Sequence, residues 1–229
     1  YIKPSVLVEY DSRRTSLSAS QLAAAVAARI ITFETNNFSR FDSKYWNSQF
    51  TKYLDLTDAA IVGTAVNLNL QKRFIPSTTA RNSYSFKFNT QLEEFGAAEK
   101  ANQPLGCLTS SAFTYTGYTS YLEDTGFGIV RIYYRSPVTN ERIYTNQTAG
   151  TIDYETGTVL LNDFLPSAFS GSEIKINVKP KFANVEAVRN QLLFFADASV
   201  VVQEINGANP GATLTTIATQ GQSTTLNES

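Results

Sequence analysis

Hydrophobic and polar positions follow two different periods along this chain, and the change of period divides it. Val6-Leu7-Val8 is a short apolar run closed by the polar stretch Tyr10-Asp11-Ser12-Arg13-Arg14, and reads as a strand. Ser18 followed three residues later by Gln21 forms a capping box, with Leu17 and Leu22 at the hydrophobic-staple positions around it. From there Leu22, Val26, Arg29/Ile30 and Phe33 recur at helical spacing with alanines between them. This predicts a helix of about four turns, running to roughly Glu34 and ended by Asn36-Asn37. Tyr45, Trp46, Phe50, Tyr53 and Leu54 predict a second, shorter helix capped by Asp42 or Ser43. At Val62 the period becomes two: Val62, Val66, Leu68 and Leu70 point one way, Gly63, Asn67, Asn69, Gln71 and Arg73 the other. Residues 1–76 therefore read strand–helix–helix–strand, a small α+β unit closed by Pro76.

A period of two persists through residues 77–180. Tyr84, Phe86 and Phe88 alternate with Ser85 and Lys87, and Val130, Ile132 and Tyr134 follow Gly126-Phe127-Gly128. Ile152–Leu161 reads as a hairpin turning through a three-residue loop at Glu155-Thr156-Gly157, with the glycine placed for positive φ. Ile174, Ile176 and Val178 make another strand, stopped by Pro180. The fold expected is thus α+β, the strand–helix–helix–strand unit followed by a mainly antiparallel β domain.

Two uncharged, β-prone runs lie in residues 181–206: Leu192, Leu193, Phe194, Phe195 and then Val200, Val201, Val202. Left bare, such runs pair with other chains, so they call for cover by the chain's own core or by a partner. They are the candidate protein interface. Residues 207–229 are rich in Thr, Gly, Asn and Gln and short of large apolar residues, and are expected to form an extended polar arm. The chain begins at Tyr1, contains no Met, and reads as strand within a few residues, as if entered midway. It has no basic leader of the signal-peptide kind.

Composition supports the same direction. Charged residues make up 17% of the 229 residues, against roughly 25% in ordinary soluble domains. Aromatics reach 12%, with 12 Tyr and 15 Phe. The net charge of −1 and the absence of a basic block give nucleic acid no electrostatic footprint. The longest apolar stretch, Leu22 to Ile31, is interrupted by Arg29 and too short to span a bilayer. A single cysteine, Cys107, excludes an internal disulfide and a cysteine zinc cluster, and reads as a small core residue.

Chemistry is scarce. The chain has no histidine, which removes the commonest general base, the histidine-dependent nucleophilic triads and most catalytic zinc sites. No catalytic, cofactor or metal residue is assigned. Glu93-Glu94, Glu123-Asp124 and the set Asp153, Glu155, Asp163 are the carboxylates available for glycosidase-like work. Adjacent acids on a strand point to opposite faces, and acids bracketing a hairpin commonly serve turns. The tyrosines Tyr115, Tyr118, Tyr121, Tyr133 and Tyr134 could pack between strands, anchor an interface, or stack sugars.

Val6 to Phe74 resembles the later part of the baseplate wedge protein, gene product six, of T-even-like contractile-tailed phages. The resemblance is carried by Val6-Leu7-Val8-Glu9-Tyr10 with the capped Ala-rich helix, by Asn36-Asn37-Phe38-Ser39-Arg40-Phe41-Asp42 leading to Phe50 and Leu54, and by Asp55 to Val62 running into Lys72-Arg73-Phe74. Looser echoes lie at Gly150 to Val159 and Val188 to Leu193. The resemblance implies a scaffold in the virion tail baseplate, assembled in the bacterial host cytoplasm. It implies partners in copies of itself, closing a ring, and in other wedge proteins. It also implies transmission of the trigger for sheath contraction. No enzyme activity, cofactor, nucleic acid or membrane belongs to that reading. A tail glycan-binding module using the tyrosines is the alternative, and a glycosidase built on the hairpin acids a third.

Overall fold

The capping box closes the start of the first helix: the Gln21 amide donates to Ser18 Oγ at 3.3 Å, and the Ser18 amide to Gln21 Oε1 at 2.9 Å. The computed structural model describes residues 1–94, 106–187, 192–205 and 212–216, the last by backbone alone. In chain order its elements are β1 (Ile2–Tyr10), a 3-10 turn at Ser12–Arg14, α1 (Ala19–Phe38), β2 (Lys44–Trp46), α2 (Asn47–Asp55), β3 (Ile61–Phe74) and β4 (Asn82–Lys87). There follow β5 (Leu108–Ser110), β6 (Phe113–Tyr115), β7 (Tyr118–Asp124), β8 (Ile129–Arg135), β9 (Arg142–Asp153), β10 (Thr158–Phe164) and β11 (Ala168–Phe169). The last are β12 (Ile174–Val178), β13 (Asn184–Glu186), β14 (Ser199–Glu204) and β15 (Ala212–Thr216).

This corrects the expected α+β fold. The chain is mostly β, with 47% strand and 17% helix, and α1 and α2 are the only α-helices among the described residues. Apart from β2 and β13, which pair with each other, its strands join into one large mixed sheet in the order β15-β14-β1-β3-β12-β5-β7-β8-β9-β10-β4, with β6 branching from β7 and carrying β11. A self-contained strand–helix–helix–strand unit does not form, because β1 takes a parallel partner, β14, from nearly two hundred residues away. Local periodicity holds no information about so distant a pairing. The long β3 then continues past Leu70 to pair with β12.

By packing, the chain divides into two compact units, one of Tyr1–Leu68 with Ala183–Ser229, the other of Asn69–Phe182. In the first, β1 and β14 run in register from Ser5↔Ser199 to Tyr10↔Glu204. Val6, Val8, Val200 and Val202 are buried, while Val201 is half-buried. Helix α1 buries Leu22, Ala23, Val26, Ile30, Phe33 and Phe38 and packs against β14. Its end lies beyond the expected stop at Asn36-Asn37. Asn37 Nδ2 donates to the Phe33 carbonyl at 2.8 Å, and Phe38 is buried edge-on to both Phe33 and Phe195. Neither Asp42 nor Ser43 caps α2, which starts at Asn47 with Trp46 as its uncapped N-cap. Lys44–Trp46 is instead a strand paired with β13, and its alternation puts Tyr45 in the core between two exposed neighbours. The face of β3 also departs from the expected pattern: Val62 is exposed and Gln71 is buried. Gln71 is buried with its polar ends satisfied, donating Nε2 to Asn177 Oδ1 and accepting from Arg73 Nε.

The second unit is built on antiparallel pairs. Leu122, Val130, Ile132, Ile152, Val159 and Leu161 form one buried face, with Ile174, Ile176 and Val178 of β12 also buried. Phe113 and Phe164 meet edge-on at 5.2 Å. The β9–β10 hairpin turns through four residues, 154–157, rather than three, because Asp153 and Thr158 are the last pair. Gly157 takes φ +67°, where a side chain is strained.

Candidate protein interface

The segment proposed from sequence as an interface has two sides. Phe195 is fully buried, and its ring lies within 5.0–6.2 Å of the rings of Phe33, Phe38, Tyr45 and Phe50. Its amide donates to Glu34 Oε1 at 2.9 Å. Burial raises the Glu34 carboxyl above its ordinary value, and the Phe195 amide pulls it part of the way back. On either side of Phe195, the Ile2 amide donates to the Phe194 carbonyl and the Ala196 amide to the Ile2 carbonyl, at 2.7 and 2.8 Å. Leu193, Val200 and Val202 are also buried; Leu192 is exposed, and Phe194 and Val201 are half-buried. Phe194 lies 6.2 Å from the ring of Tyr1. Of the polar arm expected over 207–229, residues 212–216 form a strand antiparallel to β14; the others lie outside the described residues.

The candidate acids do not converge. Glu123 and Asp124 are both fully buried and point to opposite faces of β7. Asp124 ties loops together: Oδ1 accepts the Leu108 amide at 2.8 Å, and Oδ2 accepts the Gly126 amide at 3.1 Å and the Tyr154 hydroxyl at 2.6 Å. A Cβ on Gly106 would collide with that carboxylate. The Tyr154 hydroxyl is pushed up by burial and by Asp124, and the Cys107 thiol by burial. Cys107 is a buried free thiol. Asp153 caps its own turn, accepting the amides of Glu155 and Thr156. It ends β9 opposite Thr158, the first residue of β10, and Asp163 lies near the far end of β10, roughly 17 Å away at the rise of a strand. Glu93 pairs with Lys179. No group of three or more metal-ligating side chains gathers among the described residues.

The tyrosines divide as strand alternation requires. Tyr118 and Tyr134 stack face to face at 4.1 Å, while Tyr121 and Tyr133 lie 5.6 Å apart on the opposite face, joined by Tyr144. Tyr115 is set edge-on to Phe113. On the Tyr121 face, sequence reading missed a cluster around Glu123. Arg131 and Arg142 both pair with its carboxylate, at 2.7 and 3.1 Å, and the Tyr144 hydroxyl donates to it at 3.0 Å. Arg131 lies over the Tyr144 ring at 4.1 Å and Arg142 over Tyr133 at 5.2 Å. The alternation of Arg131, Tyr133 and Arg135 was the available signal.

Large apolar side chains remain exposed on each unit: Ile31, Phe41, Leu56 and Val62 on the first, Ile75, Phe127, Val138 and Phe182 on the second. The outward face of α1 (Ala24, Ala28, Ile31, Thr32, Thr35) carries no charge. No helix among the described residues is long and apolar enough to cross a membrane.

The core is buried, large apolar side chains remain outside it, and the candidate acids do not converge on one site; comparison with known families supplies the class, a structural protein of a bacteriophage tail baseplate. Residues 1–73, which span β1 to all but the last residue of β3, match the family described as baseplate structural protein gp6, C-terminal domain III. This match supports a gp6-type baseplate protein, a structural component of the tail baseplate in the phage virion. Comparison with curated proteins gave no match.

Proposed function

We propose that the chain is a wedge subunit that associates with copies of itself into a ring and binds other wedge proteins. Through these contacts it builds the baseplate and carries the trigger for sheath contraction. Assembly takes place in the host cytoplasm, and the role is mechanical, without catalysis, cofactor or nucleic acid. The observation that carries this reading is the match of residues 1–73 to a baseplate structural family. The low charge, the uncharged face of α1 and the exposed apolar residues support it, since such surfaces are depleted in the charges that favour water over a partner. Packed interfaces with two stable arrangements convert a signal at one side into movement at the other.

Within residues 192–202 the proposal gives two roles. Leu193, Phe195, Val200 and Val202 hold the run against α1 and β1, and Leu192, Phe194 and Val201 meet the partner. Light scattering across a concentration series tests this directly. A mass above that of one chain, rising with concentration and lowered by Leu192→Ser with Phe194→Ser while circular dichroism is unchanged, is the expected result. A single-chain mass at every concentration would sink self-association.

A further inference from the structure

Among the described residues, one face of β7, β8 and β9 carries Arg131, Arg135 and Arg142 together with the fully buried carboxylate of Glu123. Glu123 and Arg131 are directly opposite, Tyr121, Tyr133 and Tyr144 form the next row, and Arg135 stands opposite Arg142 in the row beyond. Arg142 pairs with Glu123 through charge, its Nε 3.1 Å from Oε2 but not aligned for a hydrogen bond. Arg135 is exposed; it donates to the Asn140 carbonyl at 3.1 Å, and no carboxylate pairs with it among the described residues. The neighbouring acid, Glu141, sits in the β8–β9 turn and accepts from the Thr139 hydroxyl. Like charges directly opposite on a sheet destabilise it. Arg135 opposite Arg142, in a chain whose net charge is −1, is therefore a pairing that an external anion would relieve.

Arginine and tyrosine are also the residues that dominate binding energy at protein interfaces. The guanidinium fork matches a carboxylate with two parallel hydrogen bonds. Sugar stacking, by contrast, needs bare aromatic faces. Here the rings of Tyr144 and Tyr133 lie under guanidinium groups, and Tyr133 is buried.

We propose that this face docks an acidic segment of a partner protein, whose Asp or Glu carboxylates lie against Arg135 and Arg142. The inference rests on the reading of the chain as a subunit working through protein contacts, and names the chemistry of one such partner. Tyr144 lies under Arg131 and Tyr133 under Arg142, and Glu123 pairs with both of these arginines.

The test is fluorescence anisotropy of a labelled oligoglutamate peptide titrated with the full chain. Saturable binding is expected at low salt, weakening as salt rises. Arg135→Gln should lower the affinity by about tenfold, the scale of one lost interfacial charge contact. Arg135→Lys should recover part of it, since the charge remains while the fork is lost. Arg135 is exposed and outside the Glu123 pairs, so these variants are expected to keep the parent melting curve. Absence of binding, or binding equal in the parent and Arg135→Gln chains, overturns the proposal. So does tighter binding of a single-stranded oligonucleotide or a neutral oligosaccharide than of the peptide. Light scattering on the same samples separates the two readings: self-association without peptide binding removes this inference and leaves the subunit role standing.

Discussion

The amide of Phe195 donates a 2.9 Å hydrogen bond to Oε1 of Glu34, fastening the middle of an apolar run to a helix 161 residues earlier in the chain. Burial raises the Glu34 carboxyl above its ordinary 4.5, so the folded chain holds this proton more tightly than the unfolded one. Stability from this group is therefore full below the ordinary value and is lost as pH rises through the raised one. Glu34→Gln keeps an oxygen for the Phe195 amide and removes the charge. Urea denaturation over a pH series should show this variant at least as stable as the parent at neutral pH, with the gap closing under acid. Glu34→Ala, which leaves the amide without its acceptor, should cost about 1–3 kcal/mol.

The ring of Phe195 tests the division of residues 192–202 more severely. It contacts four aromatic rings, so Phe195→Ala should destabilise the chain by about 3–5 kcal/mol. Leu192, three residues away and 39% exposed, should tolerate Ser within about 0.5 kcal/mol. Equal losses in denaturation would mean that the run is not divided into core and outward positions.

Asp124 joins three otherwise separate donors in the second unit. Asp124→Ala would strand the amides of Leu108 and Gly126 and the Tyr154 hydroxyl, each at about 1–3 kcal/mol. Gly106→Ala should lower the melting temperature as well, because its Cβ would displace that buried carboxylate. A melting curve unchanged by Gly106→Ala would show that the loop shifts without penalty.

Asp153 is exposed and accepts from two amides of its own turn. Hydrogen bonds from Thr156 hold its carboxyl below its ordinary 3.8. Its contribution is present above that ordinary value and is lost as pH falls through the lowered one. Carbon-detected NMR titration should place the Asp153 carboxyl below its ordinary 3.8. No saccharide hydrolysis should accompany either Asp153 or Asp153→Asn.

How much of this was legible before the fold was known depends on the reach of each signal. The Ser18–Gln21 cap, the α1 face of Leu22, Val26, Ile30 and Phe33, and the β12 face of Ile174, Ile176 and Val178 are short-range patterns, and the chain adopts them. The resemblance of Val6 to Phe74 to a baseplate wedge protein likewise rests on a contiguous stretch, and it agrees with the family match over residues 1–73. Strand alternation alone also separates Glu123 from Asp124 and Tyr133 from Tyr134.

The class of the fold was a matter for tertiary structure. Lys44–Trp46 carries aromatics at helical spacing, yet it is a strand because β13 lies beside it. The β1–β14 pairing turns an expected local α+β unit into part of a mixed sheet, and it buries Phe195 rather than leaving it bare. The Arg131–Glu123–Arg142 cluster likewise exists only because β7, β8 and β9 are adjacent and in that register. Caps and periodicities act over a few residues, so the sequence by itself determined them. Strand partners are chosen by burial and hydrogen bonding across the whole chain, and only the folded structure decides which surfaces remain for another protein.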